Sequence, residues 1–353
     1  MIAIDRSNRQ VAIWLLIGVG MTIIQIALGG ITRLTGSGLS ITQWEVITGT
    51  LPPLNEAAWL DEFAKYKQTP QFQLLNFEFQ LDDFKFIFFW EWFHRLWARL
   101  IGLVFAFGFI FFIIKKAFKK EMVGSLLVLF FLGALQGLVG WIMVASGLTG
   151  DAVYVKPTRL ALHFILALGL LSYTFWFALK LLVPANHIVE SKPIRKQSLL
   201  LIGLLILQLI YGALMAGHKA ANVAATWPTI NGAWVPANLF SHQPLLLNFI
   251  DNTTLIHFIH RGLAYLILVL MIFWSFKLFK EAKTPTLQRA AKFPLIFTLL
   301  QVVLGIASVL TSSTIVPGIW GSFEWMAQLH QLTGMLLLLS LVTILFLVRP
   351  KIC

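Results

Sequence analysis

The sequence predicts an all-α integral membrane protein whose eight transmembrane helices form a tandem pseudo-repeat of two four-helix bundles. Three observations carry that expectation. The 353 residues are 58% hydrophobic and only 12% charged, with a mean hydropathy of +0.81, well outside ordinary soluble domains. Eight nearly charge-free stretches reach the ~20 residues a helix needs to cross a hydrocarbon core. Stretches in the second half of the chain match stretches in the first, in the same order.

The first stretch, 11–31, is too long for the core of a signal peptide. The "GGITRLTGSG" after it is a poor cleavage site, which makes it a retained helix. A long outer loop, 33–85, follows, and its "LPPLNEAAWLDEFAKY" predicts short amphipathic helices over a site below. Spans at 86–114, 122–146 and 160–182 complete an N-terminal half, 1–183. The region Pro184–Gln197 joins it to a C-terminal half, 184–353, with spans at 198–217, 254–276, 293–312 and 327–348.

The net charge of +12 invites a nucleic-acid reading, which the distribution of charge removes. Of the 27 Lys and Arg, 17 fall on segments that share a side with the N-terminus, among them Lys115, Lys116, Lys119 and Lys120. Seven fall on the other side, together with 10 of the 15 acidic residues, and three lie within spans. This is the positive-inside pattern; it places both termini in the cytoplasm and leaves no nucleic-acid partner. The single cysteine, Cys353, excludes a disulfide, a thiolate metal site or an iron–sulfur cluster within one chain.

The internal matches centre on histidine. "EWFHRLWARL" (91–100) aligns with "HFIHRGLAYL" (257–266), which puts His94 and Arg95 on His260 and Arg261. "RLALHF" (159–164) aligns with "MAQLHQ" (326–331), which puts His163 on His330. "QGLVGWIMVASG" (136–147) resembles "QVVLGIASVLTS" (301–312), and "QIALGGITRLTGSGLSITQW" (25–44) resembles "QLIYGALMAGHKAANVAATW" (208–227). The last offset is 183 and the others 165 to 167, so the first outer loop is longer than its partner. Each half has an even number of spans, which makes the repeat parallel rather than inverted.

The four repeated histidines lie near the outer ends of the second, fourth, sixth and eighth spans. Two helices in each half therefore offer one imidazole apiece at similar depth, the arrangement for two axial ligands of a metal porphyrin in a helix bundle. Zinc usually takes three or four ligands, which neither half supplies. A lone intramembrane histidine is more often a packing or proton-relay residue, but four at matched depth favour haem iron. Arg95 and Arg261 are candidate partners for haem propionates, which suit the guanidinium fork. Their bland alternative is snorkelling to the interface. Glu91, one turn before His94, has no counterpart, because His257 occupies that position. A buried carboxylate is costly unless protonated, paired or used. Either it pairs with Arg95 or Arg99, or it moves protons in one half only.

"GGITRLTGSGLSITQW", "FKFIFFWEWFHRLWARLIGLVF", "GLVGWIMVASGL" with "RLALHF", "IHFIHRGLAY" and "LHQLTG" together resemble the haem A synthase family, over nearly the whole chain. The resemblance implies a membrane oxidoreductase that converts the C8 methyl of haem O to a formyl group. Two hydroxylations and loss of water would give haem A for terminal oxidases. It implies that His94 and His163 flank haem O, that Glu91 is the catalytic carboxylate, and that His260 and His330 ligate the iron of haem b. It also implies an electron donor (ferredoxin-like or quinol), with haem O synthase and oxidase assembly factors as partners. The expected location is the lipid bilayer of a bacterial inner membrane, with the haem sites toward the outer face. His257 stands where many relatives carry Gln, which leaves open whether it replaces or assists His260. The competing reading is a di-haem b-type electron-transfer cytochrome, a quinol or ferric reductase without haem modification, which gives Glu91 no role.

Overall fold

The computed structural model describes residues 6–44 and 48–350, and Cys353 lies outside them. The helices are α1 (Arg6–Leu34), α2 (Glu56–Lys67), α3 (Pro70–Leu75), α4 (Leu81–Ile114), α5 (Lys120–Ala145) and α6 (Pro157–Leu182). They continue as α7 (Lys192–Gly217), α8 (Asn248–Asp251), α9 (Thr253–Glu281), α10 (Pro285–Ala290), α11 (Lys292–Thr311) and α12 (Ser322–Leu347). Among the described residues the extended pairing is a single bridge, Ile230 to Ala233. Eight helices are long and apolar enough to cross a membrane: α1, α4, α5, α6, α7, α9, the Pro285–Thr314 unit containing α11, and α12. Each covers one of the stretches expected from hydropathy, and the chain is a multi-pass membrane protein.

Local chemistry sets the helix ends. Asp83 accepts from the Gln80 backbone N–H at 2.9 Å, and Asp82 and Asp83 complement the positive end of α4. The Asn252 side chain accepts from the N–H groups of Thr254 and Leu255 and so starts α9. At the other end of α1, Ser37 N–H reaches the Thr32 carbonyl and Gly36 N–H reaches that of Arg33. Gly36 sits at φ +70°. This is a Schellman stop, and it needs a residue that tolerates the left-handed region. It turns the chain sharply, so that residues 37–43 run back across α4.

In the first half α1 packs on α4 and α6, and α5 packs on α6. In the second, α7 packs on α9 and α12, and α11 packs on α12. The two groups meet where α6 contacts α7 and α12, and where α1 contacts α12. One pairing differs: α9 also packs along α11, whereas among the described residues α4 and α5 make no comparable contact. From Met335 on, α12 is apolar on nearly every face, the pattern of a helix enclosed by others. Its Leu337, Leu338, Leu341, Ile344 and Phe346 are buried against Leu201 and Leu205 of α7, Met271 and Trp274 of α9, and Leu168 and Leu171 of α6. The outer loop folds α2 and α3 onto the start of α4, where Phe63 and Tyr66 pack on Phe84, Ile87 and Phe88.

Candidate functional site

His260 of α9 and His330 of α12 face each other with ring centres 6.3 Å apart and ring planes at 72°. A metal held between two imidazoles needs about 2 Å per bond, and with about 1 Å from each nitrogen to its ring centre the centres stand roughly 6 Å apart. The separation of the two ring centres is that of two imidazoles on one iron. No group of three or more His, Cys, Asp or Glu able to hold a metal occurs among the described residues. In the first half His94 of α4 and His163 of α6 occupy the matching positions, each against a glycine of a neighbouring span.

All four rings sit on glycines of the preceding odd-numbered span. A Cβ on Gly305 would stand 2.9 Å from His330 Cε1, and one on Gly212 would stand 3.2 Å from His260 Cε1. The corresponding distances are 2.8 Å from Gly140 to His163 Cε1 and 3.4 Å from Gly29 to His94 Nε2. The small residue is what lets each imidazole lie flat on the neighbouring helix.

Glu91 is buried, and both its oxygens are engaged. Oε2 accepts from Ser40 N–H at 2.7 Å, Ser40 Oγ at 2.7 Å and Ile41 N–H at 2.9 Å. Oε1 accepts from Arg95 at 2.6 Å. Arg95 also donates to the carbonyls of Ile41 and Gln43. Carboxylate and guanidinium together clamp the turn after α1 onto α4. Hydrogen bonds that favour the charged form are what make a buried carboxylate tolerable.

The second half repeats the clamp with inverted polarity. The His257 Nε2–H donates to the Ala220 carbonyl at 2.7 Å. Arg261 donates to the carbonyls of Ala224, Thr226 and Thr229. Where the loop presents N–H groups the helix carries an acceptor, and where it presents carbonyls the helix carries a donor. His257 is thus held by the loop. Both arginines serve the loops first; the Arg261 Nε–H is buried and finds no hydrogen-bond partner among the described residues.

A family model described as cytochrome oxidase assembly protein matches residues 12–342. The chain belongs to that family. Similar relatives bear the name haem A synthase. One from Flavobacterium johnsoniae is 38% identical, covering 89% of this chain and 93% of its own. One from Bradyrhizobium is 41% identical, with 94% and 90% covered, and one from Paracoccus denitrificans is 41% identical, with 86% and 81% covered.

In this member of the cytochrome oxidase assembly protein family, the site has parts that residue-type reasoning did not single out. Ser40 and Ile41 hold Glu91 from across the turn, and the only signal for them was the matched stretch "GGITRLTGSGLSITQW". The four seating glycines and the glutamine four residues before each one (Gln25, Gln136, Gln208, Gln301) recur at one spacing, a pattern visible in the sequence. Tyr66 of α2 is buried against the start of α4. Burial pushes its phenol up to about 12, against an opposing hydrogen bond from Asn76 and with a small contribution from the Glu91 charge.

Proposed function

We infer that this protein is a haem A synthase, oxidising the C8 methyl of haem O to the formyl group of haem A for terminal oxidases. Family membership and the histidine geometry support the reading together; the observation that carries it is the facing His260–His330 pair in one half beside an anchored, unmatched Glu91 in the other. Bound haem supplies the redox chemistry. We assign His94 and His163 to the substrate, haem O, and His260 and His330 to a resident haem b. The two units are residues 1–183 and 184–353. His257 belongs to the loop clamp and not to the ligand set.

Glu91 would be the catalytic carboxylate. Four donors, three from the turn after α1 and one from Arg95, fix this carboxylate one turn of α4 from His94, where a group that exchanges protons with the substrate would be placed. Arg95 and Arg261 fix the outer loops above each pair, and the free Arg261 Nε–H is the atom offered to a propionate. The positive-inside pattern supports both termini in the cytoplasm and both sites toward the outer face of a bacterial inner membrane. Electrons would come from a ferredoxin-like or quinol donor, and haem O from a haem O synthase.

The test is Glu91→Gln, assayed for haem content and for haem A formation. Haem content should stay near the parent value while haem A formation falls at least a hundredfold. Haem A at the normal rate would remove Glu91 from the catalytic role.

A further inference from the structure

The first half carries a second unmatched charge besides Glu91. Gln25, Gly29 and Arg33 of α1 align with Gln208, Gly212 and Ala216 of α7, so the second half has a methyl group where the first has a guanidinium. A spacing of four puts Arg33 on the face of α1 that seats His94 through Gly29, about 6 Å nearer the outer end. The register on α4 agrees: Gly29 lies against His94, and Thr32 Oγ1 donates to the Trp90 carbonyl at 3.3 Å. Arg33 therefore stands level with Trp90 and Glu91, one turn outward of His94.

Its hydrogen bonds are incomplete. The Arg33 Nε–H is buried without a partner among the described residues. An unpaired buried donor is costly, the more so on a charged group. On its other side α1 meets α12, where Gly30 packs on the Gln328 side chain. One turn outward on both helices, this register brings Glu324 toward Arg33. Glu324 is occupied elsewhere: its Oε2 accepts from Gly321 N–H at 2.8 Å at the positive end of α12. No ion pair between it and Arg33 occurs among the described residues.

The charges explain why one half alone needs this residue. Arg95 is paired with Glu91 at 2.6 Å, whereas its counterpart Arg261 faces three backbone carbonyls and forms no ion pair among the described residues. The outer cation common to both halves is thus neutralised in the first and left charged in the second. Arg99, where the second half has Tyr265, lies on the inner side of His94, away from the outer edge. A haem is an apolar ring with two carboxylates on one edge. In a membrane that edge turns to the aqueous side, here the outer one, and calls for a cation there.

We propose that Arg33 is a substrate-binding residue: its guanidinium pairs with a propionate of the haem held between His94 and His163, and it does not serve the haem of the second half. This deepens the haem O reading and rests on it.

The experiment uses the full-length protein purified with haem b, as parent, Arg33→Gln and Arg33→Met. Each is titrated with haem O and with haem O dimethyl ester, whose propionates carry no charge. Haem b stoichiometry and midpoint potential are measured beside the titrations. Loss of one charge-assisted pair should weaken haem O binding about tenfold in both variants, with haem b content and potential at parent values. The parent should prefer haem O to its ester by a similar factor, and the variants should lose that preference. A role in packing α1 on α12 alone would weaken both ligands equally. Haem O bound at parent affinity by the variants, a preference kept in full by them, or no preference in the parent would overturn the proposal. If Arg33→Gln does not retain haem b, Arg33→Met decides by the same comparison. A parent that binds neither form beside its haem b would instead overturn the haem O reading beneath it.

Discussion

Tyr66 is where a single residue reports on the cover of the site. Its hydroxyl donates to Gln71 Oε1 at 3.0 Å and accepts from Asn76 Nδ2 at 2.7 Å, inside an aromatic cluster with Phe63, Phe72 and Phe84. Its folded pKa, about 12, lies above the ordinary tyrosine value near 10. A raised pKa means that the folded state binds this proton more tightly than the unfolded chain does. The stabilisation is complete below about pH 10 and is lost as pH rises toward about 12. A phenolate absorbance titration should lose one equivalent from that upper range in Tyr66→Phe. Ionisation of Tyr66 at its ordinary pH would mean that α2 does not seal the cluster. The same scale shows what the sequence concealed. Glu91 was legible as an anomaly because its partner position holds His257. Its real neighbours, Ser40 and Ile41, lie 51 and 50 residues away and act mostly through backbone N–H groups, which carry no sequence signature. The role of His257 was hidden for the same reason, since Ala220 receives its proton through a carbonyl.

At the scale of elements, glycine contacts decide how closely neighbouring spans approach. Trp14 of α1 lies directly against Gly108 of α4 and donates from its indole N–H to the Val104 carbonyl at 3.0 Å. It also stacks on Phe105 with ring centres 5.4 Å apart. A methyl group at residue 108 would occupy the place of the indole, and a ring held by both a hydrogen bond and a stack has little freedom to move. Gly108→Ala should cost about 1–3 kcal/mol, read as a lower thermal midpoint in detergent, while Gly102→Ala, where the added carbon meets nothing, should be near neutral. Equal midpoints for the two would show that α1 and α4 are not held at this contact. The eight spans themselves were legible to within a few residues, because length and hydropathy determine which segments cross a bilayer. Which spans pack together was not, because lipid-facing and protein-facing surfaces are equally apolar here: α4 exposes Phe107 and Ile110 while α12 encloses its leucines.

For the whole molecule, α12 ties the halves together next to a histidine seat. Gln328 and Gln331 donate to the carbonyls of Ala27 and Ile26 at 3.0 Å each, just before Gly29, on which His94 lies. The His260–His330 pair lies on α9 and α12 and the His94–His163 pair on α4 and α6, and the two groups touch where α6 meets α12. The neighbours repeat with one unequal pairing, since α9 packs on α11 while α4 and α5 make no comparable contact among the described residues. The central claim is that the two histidine pairs hold different haems for different purposes. It is tested most directly by extracting and chromatographing the haems of protein purified from cells that make haem O. Haem b together with haem O or haem A is the expected result, and haem b alone would return the protein to the class of di-haem electron-transfer cytochromes.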